Sequence, residues 1–189
     1  MSTAGEATAG TVRRGAHTIR WVMIGLAVVV LLPALALLGS RVGKDATLTP
    51  SVLIGKPAPA FSLATLDGKT IRNADLRGKP YVVNFWASWC GPCRDEHGAL
   101  RVFWERHRDQ GIMLLGVIMQ DTPGRARAFQ AELGGDWPLL VDPKDKTLVD
   151  WGVRAPPETF VVDADGNVAF RRQGPVAPGQ LDELLASLG

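Results

Sequence analysis

The sequence predicts an α/β domain whose central mixed β-sheet is flanked by helices on both faces, with an N-terminal β-hairpin and, ahead of it, an N-terminal transmembrane helix. Three observations predict it. Two apolar runs, YVVNFWA at 81–87 and IMLLGVIM at 112–119, are each followed by helical patterning, as expected of strands buried on both faces and joined by crossover helices. Short alternating segments turn on Asp67-Gly68 and on Asp165-Gly166, which marks antiparallel hairpins near either end of the domain. Twenty uncharged residues, WVMIGLAVVVLLPALALLGS at 21–40, stand apart from both patterns.

Taken in order, residues 1–16 are small and polar without periodicity, and 1–20 are expected to form a disordered cytoplasmic tail. The uncharged stretch at 21–40 is long enough for a span, since about 20 helical residues cross a hydrocarbon core of roughly 30 Å. Trp21 stands where an interfacial aromatic belongs, and Pro33 is tolerable in a membrane helix. Arg13, Arg14 and Arg20 precede the stretch, whereas Arg41 and Lys44 follow it beside Asp45. The positive-inside bias therefore places everything after Ser40 outside the cytoplasm. Ala34-Leu35-Ala36 has the small-x-small form of a cleavage site, but the stretch exceeds the roughly 7–15 apolar residues of a cleaved signal peptide, which favours a retained signal-anchor. Either way the remainder is extracytoplasmic, where disulfides persist.

Residues 41–54 read as a linker punctuated by Pro and Gly, and 55–189 as one domain. The hairpin FSLATLDGKTIRN occupies 61–73; after a loop, the strand at 81–87 leads into a helix at 90–110 that Gly111 stops. The strand at 112–119 precedes a helix at 123–133 with proline in its first turn, a short strand at 137–141 and a short helix at 144–151. The hairpin TFVVDADGNVAFRR at 159–172 and a helix at 178–188, with Leu181, Leu184, Leu185 and Leu188 on one face, complete the series. Hydrophobic residues form 46% of the chain, enough for a packed core. From Pro50 onward 16 Lys and Arg face 17 Asp and Glu, so the +2 formal charge arises before the domain, and its near-neutral balance argues against nucleic acid as a partner.

The two cysteines of the chain, Cys90 and Cys93, lie in NFWASWCGPCRDEH. A strand that delivers Cys90 to a helix start puts its sulfur among unsatisfied N–H groups at the positive end of the macrodipole, which stabilises a thiolate. Cys93, one turn further in, is expected to be the more buried. Cys90 is thus expected to attack a partner disulfide and Cys93 to resolve the mixed disulfide, chemistry that needs no cofactor. Pro92 fits the first helical turn, where a missing N–H costs nothing. A purely structural bridge across so small a loop would constrain the unfolded chain little. A zinc site needs four ligands, and His97 and His107 miss the usual spacings; haem attachment needs a histidine where Arg94 stands; and no histidine after His107 serves copper carriage.

WCGPC directly after an apolar strand resembles the thioredoxin superfamily. The anchor, Asn84 at the head of NFWASWC, the continuation CRDEH and the later PETF resemble one branch over roughly residues 55–189: the membrane-tethered TlpA/ResA/CcmG (DsbE)-like thiol-disulfide oxidoreductases of cytochrome c maturation. The resemblance implies a thioredoxin-like fold, and it assigns the branch's acidic position to Glu96, three residues after Cys93. A carboxylate there suits the helix dipole, opposes a nearby thiolate and could relay protons to the cysteines, although a plain first-turn glutamate looks the same. Cytoplasmic thioredoxins place a buried Asp where this chain has Asn84. His97 is expected on the helix surface. GVRAPPETF at 152–160 resembles the segment bearing the superfamily's cis-proline, which assigns that role to Pro157 and leaves open which bond at Pro156-Pro157 is cis. Such a loop keeps extended backbone available to a substrate strand, with Glu158 beside it selecting partners. Trp89, Pro92 and Pro156 complete the expected substrate contacts.

Gly-Pro is the dipeptide of thioredoxin, which lies near −270 mV against about −120 mV for the oxidant DsbA, a gap of about 7 kcal/mol for two electrons. Dipeptide and acid both favour a reductant. An extracytoplasmic reductant needs a membrane electron donor, which the resemblance implies is a CcdA/DsbD-type thiol transporter; the implied targets are apocytochrome c or its haem-ligation machinery. Two other readings remain open: a general extracytoplasmic disulfide oxidoreductase, including an oxidant of secreted proteins, and a metal-carrying or redox-inactive interaction module.

Overall fold

The computed structural model describes residues 13–39 and 52–188. The chain divides into two units, Met1–Thr47 and Leu48–Gly189. In the first, helix α1 runs Arg13–Gly39 and contains Pro33. Its described side chains, at 20–33 and 36, are all exposed, and among the described residues no helix is long and apolar enough to cross a membrane. Most of the expected tail, at 1–12, and most of the expected linker, at 41–51, lie outside the described residues.

The second unit carries the sheet. Strands β1 (Ser62–Thr65) and β2 (Thr70–Arg72) form the first hairpin, whose turn closes through Gly68 N–H to Thr65 O at 3.0 Å with Gly68 at φ +81°, a conformation that suits glycine. Next come β3 (Tyr81–Trp86), helix α2 (Gly91–His107), β4 (Met113–Ile118), α3 (Pro123–Leu133), β5 (Leu139–Val141), the short α4 (Lys146–Asp150), β6 (Glu158–Val162), β7 (Val168–Gln173) and α5 (Gln180–Ala186). The sheet order is β2-β1-β5-β4-β3-β6-β7. Strands β3, β4 and β5 pair parallel through the crossovers of α2 and α3, and every other pair is antiparallel, so the sheet is mixed as the element order predicts. The loop expected after the first hairpin contains a 3₁₀ turn at Asn73–Leu76, fixed by Phe61 N–H donating to Asn73 Oδ1 at 2.9 Å.

All six residues of β3 are buried, and strand alternation sends them to two cores. Tyr81, Val83 and Phe85 face a core shared with Phe160, Leu148 and Trp151. Val82 and Trp86 face the other, which α2, α3 and α5 close with Leu100, Phe103, Phe129, Leu181 and Leu185. Asn84, on the same side as Val82 and Trp86, therefore points a polar group at α2 from the middle of the sheet.

Candidate active site

Strand β3 ends at Trp86, and the chain turns through 87–89 into α2 with Cys90 as its N-cap. Two bonds hold the turn: Ser88 N–H donates to Asp121 Oδ2 at 2.7 Å, and Trp89 Nε1–H donates to Gln120 O at 3.2 Å. Cys90 has extended backbone, φ −85° and ψ 111°, and its sulfur accepts from Cys93 N–H at 3.1 Å. A free N–H of the first helical turn is thus aimed at the sulfur expected to attack, and a thiolate there gains from both the bond and the helix dipole. Cys90 and Cys93 form a disulfide with Cα atoms 5.3 Å apart. Cys90 is 5% exposed and Cys93 2%, while Trp89 and Pro92 beside them are exposed. Cys93 backs onto a cavity of about 10 Å³ between Asn84, Trp86 and His97, room for about one water.

Glu96 is 2% exposed on the inward face of α2. Asn84 Nδ2 donates to its Oε1 at 2.8 Å and Val176 N–H donates to its Oε2 at 2.8 Å. Asn84 Nδ2 also donates to Thr159 Oγ1 at 3.0 Å, so both of its amide hydrogens are used and the group is fixed. Burial pushes the Glu96 carboxyl up to about 7, against the two N–H groups that favour its charged form. A buried acid that ionises near neutrality, a helical turn from Cys93, can hold or release a proton where the thiol chemistry needs one.

The bond between Pro156 and Pro157 is cis. Strand β6 continues from it, with Glu158 opposite Phe85 of β3, so Pro157 lies beside the end of the strand that delivers Cys90. Pro157 is buried and its carbonyl accepts from Gly174 N–H at 2.9 Å, while Pro156 is half-buried. Two expectations need correction. Glu158 does not face a substrate: it is 1% exposed, paired with the Arg171 guanidinium and bonded by Arg154 N–H at 3.3 Å, because strand alternation turns it to the opposite side of β6 from Thr159. His97 is not a surface residue: it is 6% exposed, with Nε2 2.7 Å from Gly134 O and its ring against Phe129 and Trp137, and burial lowers its pKa. Sequence reasoning missed Thr159 and Val176. The signal for Thr159 was its alternation with Glu158 on β6; the contribution of Val176 is a backbone N–H, which no residue type announces. Among the described residues no group of three His, Cys, Asp or Glu side chains could hold a metal ion.

Residues 54–171 match the AhpC/TSA family model. The chain is 44% identical over 149 residues to the thiol:disulfide interchange protein HelX of Rhodobacter capsulatus, across 75% of this chain and 82% of the relative. The chain belongs to the AhpC/TSA family, among its thioredoxin-like thiol:disulfide interchange proteins. Another member, the DsbE homolog of Paracoccus denitrificans, is 41% identical over 135 residues, covering 70% of this chain and 73% of the relative. A solved thiol:disulfide interchange protein of the thioredoxin family from Chlorobium tepidum superposes with a TM-score of 0.64 at 28% identity, over 70% of this chain and 94% of that one. As a member of this family the protein is a thiol-disulfide oxidoreductase, and its paired cysteines occupy the helix start that such chemistry requires.

Proposed function

We propose that the protein is a membrane-anchored, extracytoplasmic thiol-disulfide reductase serving cytochrome c maturation. The observation that carries this reading is the bond from Cys93 N–H to Cys90 Sγ at the opening of α2, above a buried Glu96 that ionises at about 7. In the reduced protein the Cys90 thiolate attacks one sulfur of a partner disulfide. A bond forms between Cys90 and that sulfur, and the partner's other sulfur leaves and takes up a proton. Cys93 then gives its proton to the Glu96 carboxylate and attacks Cys90 Sγ, so the second partner sulfur leaves as a thiolate that takes up that proton. Two electrons pass to the partner, and the chain is left with the Cys90–Cys93 disulfide. The exchange calls for no cofactor. Trp89, Pro92 and the backbone at Pro156-Pro157 form the contact surface for the partner, and Pro157 keeps that backbone extended.

The anchor rests on the sequence: 21–40 serves as a retained signal-anchor, with 1–20 in the cytoplasm, 41–54 as linker and 55–189 as the catalytic domain outside. The reductive direction rests on Gly91-Pro92 and Glu96, and the target, the CxxCH of apocytochrome c or its haem-ligation machinery, on the resemblance carried by WCGPCRDE and PETF. A CcdA/DsbD-type membrane donor returns the two electrons. The test is trapping in cells with Cys93→Ser, which leaves Cys90 able to attack and unable to release. Recovery of a c-type cytochrome precursor bonded to Cys90 supports the reading; a broad set of secreted proteins instead would make the protein a general oxidoreductase.

A further inference from the structure

Glu158 and Arg171 form an ion pair whose side chains are only 1% and 10% exposed. A buried pair of this kind adds little net stability over apolar residues of the same size, so the placement of its remaining bonds is the informative feature. Those bonds converge on one loop, between α4 and β6. Arg171 donates from its second nitrogen to Gly152 O at 2.9 Å, and Glu158 Oε2 accepts from Arg154 N–H at 3.3 Å. The guanidinium also lies 5.5 Å over the Phe160 ring, which holds its plane. The carbonyl at 152 and the N–H at 154 are thereby fixed from inside the domain. Ala155 N–H, Ala155 O and Pro156 O, next along the chain, have no backbone partner among the described residues, and neither proline has an N–H to offer.

We infer that Glu158 and Arg171 are positioning residues: they clamp the backbone of the Gly152–Pro157 loop from below, so that its free carbonyls and the Ala155 N–H are held ready to pair with the extended backbone of a disulfide-bearing polypeptide. The inference rests on the reading of this loop as substrate-facing. The clamp selects for substrates that possess such a backbone, and a small disulfide gains nothing from it.

The test compares insulin with oxidised glutathione as substrates of the reduced full-length protein in detergent, for the wild type, Glu158→Gln and Arg171→Lys. Arg171→Lys keeps the buried charge pair and loses the simultaneous reach to Gly152 O, so it reports on the clamp even where Glu158→Gln folds poorly. Each variant is expected to raise the KM for insulin about fivefold, the equivalent of one lost hydrogen bond, with kcat for insulin held. The kcat/KM ratio of insulin to glutathione falls by the same factor, and amide exchange at Arg154, whose N–H the Glu158 carboxylate holds, accelerates. An equal fall for both substrates, or an unchanged ratio, would overturn the clamp. A wild type whose kcat/KM for a peptide bearing an oxidised CxxCH is no higher than for glutathione disulfide would overturn the substrate-facing reading of the loop as well.

Discussion

Glu96→Gln replaces a buried, titrating acid by an amide of the same shape. In the folded protein the carboxyl ionises at about 7 against an ordinary 4.5, because burial outweighs the N–H groups of Val176 and Asn84. Between those values the folded state holds a proton that the unfolded chain has released. The stabilisation from that proton is full below 4.5 and is lost as pH rises through 7. The shift corresponds to about 3 kcal/mol. His97 works in the opposite sense: burial lowers its pKa from 6.5, so its contribution is present above 6.5 and is lost as pH falls through the folded value. Wild type and variant share His97, and their difference isolates Glu96. The amide also carries a fixed cost of about 1–3 kcal/mol, because both native partners are donors and its NH₂ must face one of them. Urea unfolding of both oxidised proteins should show the wild-type advantage shrinking by about 3 kcal/mol between pH near 4.5 and pH near 8. A difference that stays constant, or that widens with pH, would refute the assignment of this acid.

Asn84→Asp puts a second carboxylate where the amide now lies 2.8 Å from Glu96 Oε1. The two acids must then share a proton, and carboxyl NMR titration should show one apparent pKa rising above 7 and the other falling; two ordinary carboxylate titrations would contradict the geometry. Gly116 lies in β4, where an added Cβ would meet Leu139 Cδ2 and Trp86 Nε1 at 2.8 Å. Gly116→Ala should therefore lower stability by about 1–3 kcal/mol, and an unmoved urea midpoint would count against this packing around Cys93.

The elements that specify the sheet were legible because their signals are local. β3 is apolar enough to be buried on both faces, and helix α3 begins at Pro123 and ends at Leu133 as its pattern dictates. Ends were less legible where one backbone angle decides them. Asp145 at φ +51° and Gly179 at φ +79° start α4 and α5 two residues later than the expected 144 and 178. In the site, Cys90 and Cys93 follow from spacing and helix physics. The company of Glu96 does not, since Asn84 is 12 positions away, Thr159 is 75 from Asn84, and Val176 contributes only backbone. His97 was readable: Cys93, His97, Leu100 and Trp104 make one helical stripe, and a residue on that stripe goes inward whatever its polarity. Glu158 was misread because adjacency to Pro157 along the chain is not adjacency across a strand, where neighbours point to opposite faces.

Which sulfur attacks is settled most directly by competition for a limiting alkylating agent. The reduced full-length protein is mixed with substoichiometric iodoacetamide near neutral pH, digested, and the label located by mass spectrometry. The N–H and dipole directed at Cys90 predict that it takes the label over Cys93 by about tenfold or more. Equal labelling, or a preference for Cys93, would contradict the account.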